Sequence, residues 1–400
     1  MNRAFWMRRS IPVCVCLSAL LLAAGPVLAS APVRIGLTLG LTGKYTEMSV
    51  MQKMGYTLWA RQVNERGGLL GRKVEMIIKD DASDGKKAAS LYEEMIVKEK
   101  VDLVLGPYSS EITMAVLPVT ARYGYPLLVG GASSDSIWEQ GYDNVFGVYT
   151  PAGRYTVGFL EMLVMNDIDR IAIINADDAF SLSIADGTRK WAGRYGLNTV
   201  FSGSFVKGTV DLKGILRQAR DSGADVLIIC GHFNEAVNAR KALNQIGWIP
   251  SAFYASVGPV LQSYHDRLGD MADGTFSSSQ WEPHPDLSFP GSREFVSAFK
   301  DAFALLPSYH AATAFASCVI LESAVRKAKS LDRPRLRKTL ANMDTMSLIG
   351  RYGVDRTGMQ IRQFPVIIQW QSGTKETVWP SELQTAPPVF RGAPHPTDEK

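Results

Sequence analysis

Val33-Arg34-Ile35-Gly36-Leu37 opens a pattern that decides the fold. A short apolar run of this kind reads as a buried strand. Residues 49–65 follow as a helix, closed by Gly67-Gly68 where a helix stops, and residues 73–79 read as the next strand. The alternation then continues. Residues 86–98 are a helix, 102–105 a strand, 110–123 a helix despite Pro118, and 126–129 a strand. At this spacing the pattern predicts right-handed βαβ units around a parallel sheet. It restarts with a helix over 151–165, strands over 170–174, 199–205, 226–230 and 253–256, and helices over 181–195, 212–222 and 234–246. That is a second sheet, alike in period and not in residues. Beyond Gly274 come a strand over 275–279, helices over 292–303, 311–329 and 333–341, and a late strand over 364–370. Residues 390–400, with Pro394 and Pro396, read as a mobile tail.

The chain has 400 residues, enough for about two domains. Its formal net charge is +4, but residues 1–29 hold Arg3, Arg8 and Arg9 and no acid, so the remainder carries +4 − 3 = +1. Such a balance gives no general electrostatic claim on nucleic acid or anionic lipid. The first residues read as a secretory signal: a basic start, an apolar run over 11–24, and Val27-Leu28-Ala29 supplying small residues for cleavage after Ala29. The run is short for a membrane span. Cys14 and Cys16 fall inside it, which leaves Cys230 and Cys318, expected as buried free thiols. No CxxC and no metal-ligand spacing occur among the scattered histidines, and neither a metal nor a cofactor is expected.

Several motifs together resemble the periplasmic leucine/isoleucine/valine-binding proteins of ABC transporters. The strongest is Val63-Asn64-Glu65-Arg66-Gly67-Gly68-Leu69-Leu70-Gly71-Arg72-Lys73, followed by Asp80-Asp81-Ala82-Ser83-Asp84. Gly106-Pro107-Tyr108-Ser109-Ser110, Gly130-Gly131-Ala132-Ser133, Ile35-Gly36 and Leu41-Thr42-Gly43 add to it, and the resemblance runs from about residue 33 to about 370. It implies an α/β fold of two doubly wound parallel-sheet lobes joined by a three-crossing hinge, closing around a ligand. Lobe one would be 31–150 plus 279–349, and lobe two 151–278 plus 350–389. It also implies a periplasmic, monomeric binding component of an importer, with an amino acid or related small carboxylate as ligand and ABC permease subunits as partners.

In open α/β sheets a ligand sits beyond the carboxyl ends of the strands. Tyr108, Ser109 and Ser110 fall there, offering hydroxyls and the free N–H groups of a helix start, a combination that holds a carboxylate without Arg or Lys. Ser109 or Ser110 capping the helix is the alternative. Gly131, Ala132 and Ser133 follow the next strand, where the family makes backbone and hydroxyl contacts; an ordinary glycine turn is the alternative. On the second lobe Phe180 resembles the family's aromatic wall, and His232 follows a strand end. Trp281, near the third crossing, lines the cleft or packs the hinge.

One position departs from the family. Branched-chain amino-acid binders carry an acid where Val257 stands, and it neutralises the ligand's ammonium group. A buried ammonium without a counter-charge is costly. Either Asp177 or Asp178 takes over, or the correspondence shifts by several residues, or the ligand is an aromatic or keto acid, which Tyr108, Phe180 and His232 suit. An enzyme is disfavoured, since GxSxG, P-loop and HExxH motifs are absent. A sensory module of the same fold is a further alternative, because fold alone does not fix function.

Overall fold

The computed structural model describes residue 1, residues 31–283 and residues 289–391. Contacts divide the chain into residues 1–31 and 32–400, and the second unit carries both large sheets. Apart from Met1, the expected export signal lies outside the described residues.

The first half runs β1 (Val33–Leu39), α1 (Thr46–Glu65), β2 (Val74–Asp80), α2 (Gly85–Val97), β3 (Leu103–Leu105), α3 (Ser110–Arg122), β4 (Leu127–Val129), α4 (Ser136–Glu139) and β5 (Val145–Gly147). Its five strands are all parallel, in the order β2-β1-β3-β4-β5. The winding reverses between β1 and β3, which opens a crevice at the carboxyl ends of the strands. β3, β4 and β5 are wholly buried, as strands covered by helices on both faces must be.

The second half runs α5 (Val157–Met165), β6 (Arg170–Ala176), α6 (Ala179–Tyr195), β7 (Asn198–Phe205), α7 (Lys213–Asp221), β8 (Val226–Cys230), α8 (Phe233–Ile246), β9 (Ala252–Ala255), α9 (Gln262–Leu268) and β10 (Thr275–Ser279). The chain then returns with α10 (Ser292–Phe303), α11 (Tyr309–Ala328) and α12 (Arg333–Ala341), and α11 packs along α1. A small hairpin of β11 (Thr345–Ser347) and β12 (Gly350–Tyr352) precedes β13 (Val366–Gln371) and β14 (Thr374–Trp379). The second sheet has seven strands in the order β14-β13-β10-β9-β8-β6-β7. It is parallel from β7 to β10, with β13 and β14 added antiparallel at one edge. A two-residue turn makes that edge: Ser372 and Gly373 both take positive φ, as a tight hairpin of this hand requires.

The chain therefore passes between the two layers three times, and side-chain amides tie the passages together. Gln280 Oε1 accepts from the Thr150 N–H at 2.9 Å, and Gln363 Nε2 donates to the carbonyls of Gln280 at 2.9 Å and Ile349 at 3.2 Å.

Three expectations change. The boundary expected between residues 349 and 350 would cut the β11–β12 hairpin. The chain stays beside the first sheet further on, since the Gly147 N–H at the end of β5 donates to Gly358 O at 2.8 Å. The helix expected over 151–165 is a short turn at Ala152–Arg154 and then α5, because this is where the chain first crosses. The tail expected from residue 390 is anchored at its start: Phe390 is buried and stacked on Phe276, and Arg391 N–H donates to Ser251 O at 2.9 Å. Residues 392–400 lie outside the described part. Cys230 and Cys318 are both buried free thiols, and among the described residues no helix is long and apolar enough to cross a membrane.

Candidate ligand cleft

The first wall is built on strand ends of the five-stranded sheet. Ser109 stands just before α3 in extended backbone and does not cap the helix with its side chain. Its hydroxyl is buried beside the Tyr45 phenol and makes no hydrogen bond of good geometry. The first N–H groups of α3 likewise have no partner within the helix. Ser110 is different. Its Oγ accepts from the N–H groups of Ser133 at 3.2 Å and Ser134 at 3.1 Å, which braces the loop after β4 against the start of α3. Gly130 and Gly131 let that loop run close to its neighbours. A Cβ on Gly131 would lie 2.8 Å from both Gln52 Nε2 and Pro107 O, and one on Gly130 would lie 2.0 Å from Ser317 Oγ.

The second wall comes from strand ends of the seven-stranded sheet. Asp178 caps α6 through bonds from the N–H groups of Phe180 and Ser181, which fixes Phe180 in the first turn. His232 precedes α8, held by its own N–H donating to Glu235 Oε2 at 3.1 Å. Val257 follows β9.

These walls face each other across one cavity. Its lining is Tyr108, Ser109, Ser110, Gly131, Ala132, Ser133, Phe180, His232 and Val257, together with Tyr149, Tyr155 and Tyr309. Nine expected residues thus converge, from loops far apart in sequence. Trp281 does not join them. It is buried against Phe295, with ring centres 5.8 Å apart, and donates from Nε1 to Ser292 Oγ, so it packs the second passage. The three tyrosines had no distinct signal: Tyr149 follows a three-residue strand too short to read, Tyr155 lies in a passage, and Tyr309 opens a helix. Tyr45 closes one side, 5.3 Å from the Tyr108 ring and 5.2 Å from the His232 ring.

The walls are drawn together. Phe180 lies 4.9 Å from His232 and 5.6 Å from Tyr155, and Tyr155 shares a 2.9 Å hydrogen bond with Ser133. Lys207, beyond β7, reaches the first wall at Tyr45 OH (2.5 Å) and Glu111 Oε2 (3.5 Å). Ser134 Oγ bonds Ser183 Oγ at 2.7 Å and Ala179 O at 2.9 Å. The space left is about 10 Å³, room for roughly one water, so a larger ligand is admitted only as the walls part. A groove of about 400 Å³ flanks the cavity at Tyr45, Lys207 and His232. Another of about 550 Å³ runs along Val260, Glu282, Ser308 and Lys375.

Two buried ionisable groups frame the cavity. Burial alone would raise the Asp178 carboxyl, but the adjacent His232 ring, Lys207 and the Ser181 hydroxyl outweigh it and hold the group well below the usual carboxylate range. His310 stacks on Tyr309 and faces the Tyr108 ring at 5.7 Å, with neither nitrogen hydrogen-bonded. Burial, aided by repulsion from His232 and Lys375, pulls its pKa down to about 3, so the imidazole is neutral in the folded protein.

Comparison with known proteins gives one consistent picture. Residues 32–375 match the family model of the periplasmic binding proteins. Leu/Ile/Val-binding protein homolog 7 of Brucella melitensis is 27% identical over 383 residues, covering 92% of this chain and 96% of its own length. The fold matches the branched-chain amino acid transporter substrate-binding protein LivJ of Streptococcus pneumoniae, solved with isoleucine, with a TM-score of 0.77, 20% identity, and 86% and 98% of the two chains covered. It also matches an ABC transporter solute-binding protein of R. palustris, solved with benzoate, with a TM-score of 0.76, 20% identity, and 91% and 99% covered. Relatives and structural neighbours alike are binding proteins rather than enzymes. With the family model spanning most of the chain and the two-sheet architecture agreeing, this chain belongs to the periplasmic binding protein family.

Proposed function

We propose that the chain is the exported, monomeric substrate-binding component of an ABC importer, which captures a small carboxylate between its lobes and delivers it to the permease. Lobe one would comprise residues 31–150 and 279–360, and lobe two residues 151–278 and 361–389. The observation that carries the reading is the Ser109 hydroxyl: buried, without a hydrogen bond of good geometry, at the start of a thirteen-residue helix, and opposite Phe180 and His232. A carboxylate there gains a hydroxyl donor, helix N–H groups and the favourable end of the helix dipole. Gly131 and Ser133 add backbone and hydroxyl contacts, and Tyr108, Ala132, Phe180 and His232 enclose the body of the ligand. Ser110 supports this from behind by bracing the two loops.

The test is thermal unfolding of the purified protein against amino acids, keto acids and aromatic acids, followed by small-angle scattering with each hit. A ligand that binds the native state stabilises it by roughly 2.7 kcal/mol at a hundredfold excess over its dissociation constant. The reading expects such a hit and a more compact particle at saturation. Stabilisation by no carboxylate, with an unchanged scattering profile, would overturn it.

A further inference from the structure

The acids near the cavity are each committed elsewhere. Among the described residues none of the lining side chains is a carboxylate. Asp178 is the closest by arrangement, since it touches both His232 and Lys207. Its Oδ1 accepts from two backbone N–H groups and lies 3.5 Å from His232 Nε2, while Oδ2 accepts from Ser181 Oγ at 2.7 Å and lies 3.5 Å from Lys207 Nζ. Asp177 points outward, accepting from the Lys207 N–H. Glu111 pairs with Lys44, Lys207 and Tyr45. Glu235 holds the N–H groups of His232 and Gly208.

Four carbonyls around the cavity are engaged as well. Ser109 O accepts from Thr113 N–H at 2.8 Å, Gly130 O from Gln52 Nε2 at 2.9 Å, and Ser133 O from Ala152 N–H at 2.7 Å. Across the cavity, Gly231 O accepts from Ser256 Oγ at 2.7 Å. Among the lining side chains, the Ser109 hydroxyl and the His232 ring nitrogens make no hydrogen bond of good geometry, and a set of aromatic faces surrounds them. An ammonium group placed here would lose its water and meet the apolar Val257 side chain, which is itself fully buried.

We infer that the cleft takes carboxylic acids without an α-amino group, namely aromatic or α-keto acids, and that Val257 enforces this choice. The inference rests on the proposed capture of a carboxylate. The acid group meets Ser109 and the α3 start, and the uncharged body lies among Tyr108, Tyr155, Phe180 and His232. Stacking suits a flat body, and no carboxylate lines the cavity to balance a positive charge.

Matched pairs separate the two claims by isothermal titration of the purified protein. The probes are hydrocinnamate against phenylalanine, α-ketoisocaproate against leucine, and benzoate alone. The amino-free member of at least one pair is expected to bind about a hundredfold more tightly than its amino acid, the discrimination typical of an unmatched buried polar group. Equal or tighter binding of the amino acids would overturn the inference and leave the capture reading standing. Binding of none of the five probes would count against both. Val257→Glu, which sets a buried anion against the ligand's uncharged body, is expected to weaken the best acid about a hundredfold, while the near-isosteric Val257→Thr stays within about threefold. Unfolding curves of both variants without ligand report their folding. A folded Val257→Glu with unaltered acid affinity would remove Val257 from the site, and if that variant does not fold, the matched pairs on the unaltered protein still decide.

Discussion

The two walls of the cleft differ in kind. The first is hydroxyls, glycines and helix N–H groups, held by hydrogen bonds between its loops. The second is aromatic and apolar, with its nearest carboxylate, Asp178, turned to structural work at a helix cap. Polarity on the first wall is positioned and partly unused, whereas the carboxylates on the second are consumed internally. A ligand fitting both is charged at one end only, and the negative end belongs against the first wall. The contrast also separates neighbouring residues that look equivalent: Ser109 and Ser110 are consecutive serines, yet one hydroxyl makes no hydrogen bond of good geometry and the other holds two loops together.

The largest expected effect comes from removing the second wall. Phe180→Ala takes a buried ring out of contact with His232 and Tyr155, and affinity for an aromatic acid should fall about a hundredfold, as for other central aromatic anchors. Titration of that variant with hydrocinnamate measures it, and an unchanged dissociation constant would break the comparison.

Next is a pH effect on stability. His310 is held neutral in the fold, with its pKa lowered from 6.5 to about 3, whereas in the unfolded chain it takes up a proton below pH 6.5. The unfolded state then binds more protons, so stability falls as pH drops through 6.5 toward 3, by about 2 kcal/mol at pH 5 from this group alone. His310→Phe keeps the stacking on Tyr309 and loses no hydrogen bond, since neither nitrogen makes one. Denaturant unfolding at pH 7 and pH 5 should therefore show a shallower pH dependence for the variant. An identical dependence would mean the imidazole is not held neutral.

The paired serines sharpen the comparison. Ser109→Ala should weaken acid binding about tenfold and leave stability nearly unchanged, because the hydroxyl makes no hydrogen bond of good geometry within the protein. Ser110→Ala should instead lower stability by roughly 1–2 kcal/mol, through two N–H groups left without an acceptor. Chemical denaturation and titration of both variants give a two-by-two result. The reverse assignment would exchange the roles of the two residues.

The smallest effect belongs to the contacts between the walls. Lys207→Met removes the ties to Tyr45 and Glu111 and should change affinity only severalfold, as partly buried ion pairs do when other contacts keep the closed form. A shift of a hundredfold would make Lys207 a principal determinant of closure rather than a minor one.

How much of the molecule is legible in the sequence depends on the kind of signal each part leaves. β1, β8 and α10 can be read because short buried strands and periodic helices carry their own pattern, and glycines punctuate them. The antiparallel edge is hidden: β14 reads TKETVW, whose Thr, Lys and Glu disguise a strand exposed on one side, and the turn rests on a single Ser372-Gly373 pair. The tie between Gly358 and the first sheet is not legible, because it is a backbone hydrogen bond from Gly147, which side chains do not announce. Within the cleft, Ser109, Gly131, Phe180 and His232 are reachable because they follow strands. Tyr149, Tyr155 and Tyr309 are not, since the direction in which a tyrosine points depends on how the two lobes meet. Trp281 looks like a cleft residue because aromatics near a passage serve either role, and only its contact with Phe295 and Ser292 decides.

The most direct test of the central claim is a crystal structure of the protein with a bound amino-free acid such as hydrocinnamate. The account predicts the carboxylate within hydrogen-bond distance of Ser109 Oγ and the α3 N–H groups, with the ring between Tyr108, Phe180 and His232 and against Val257. A ligand bound instead in the groove beside Glu282 and Lys375, or held with its carboxylate on the second wall, would contradict it.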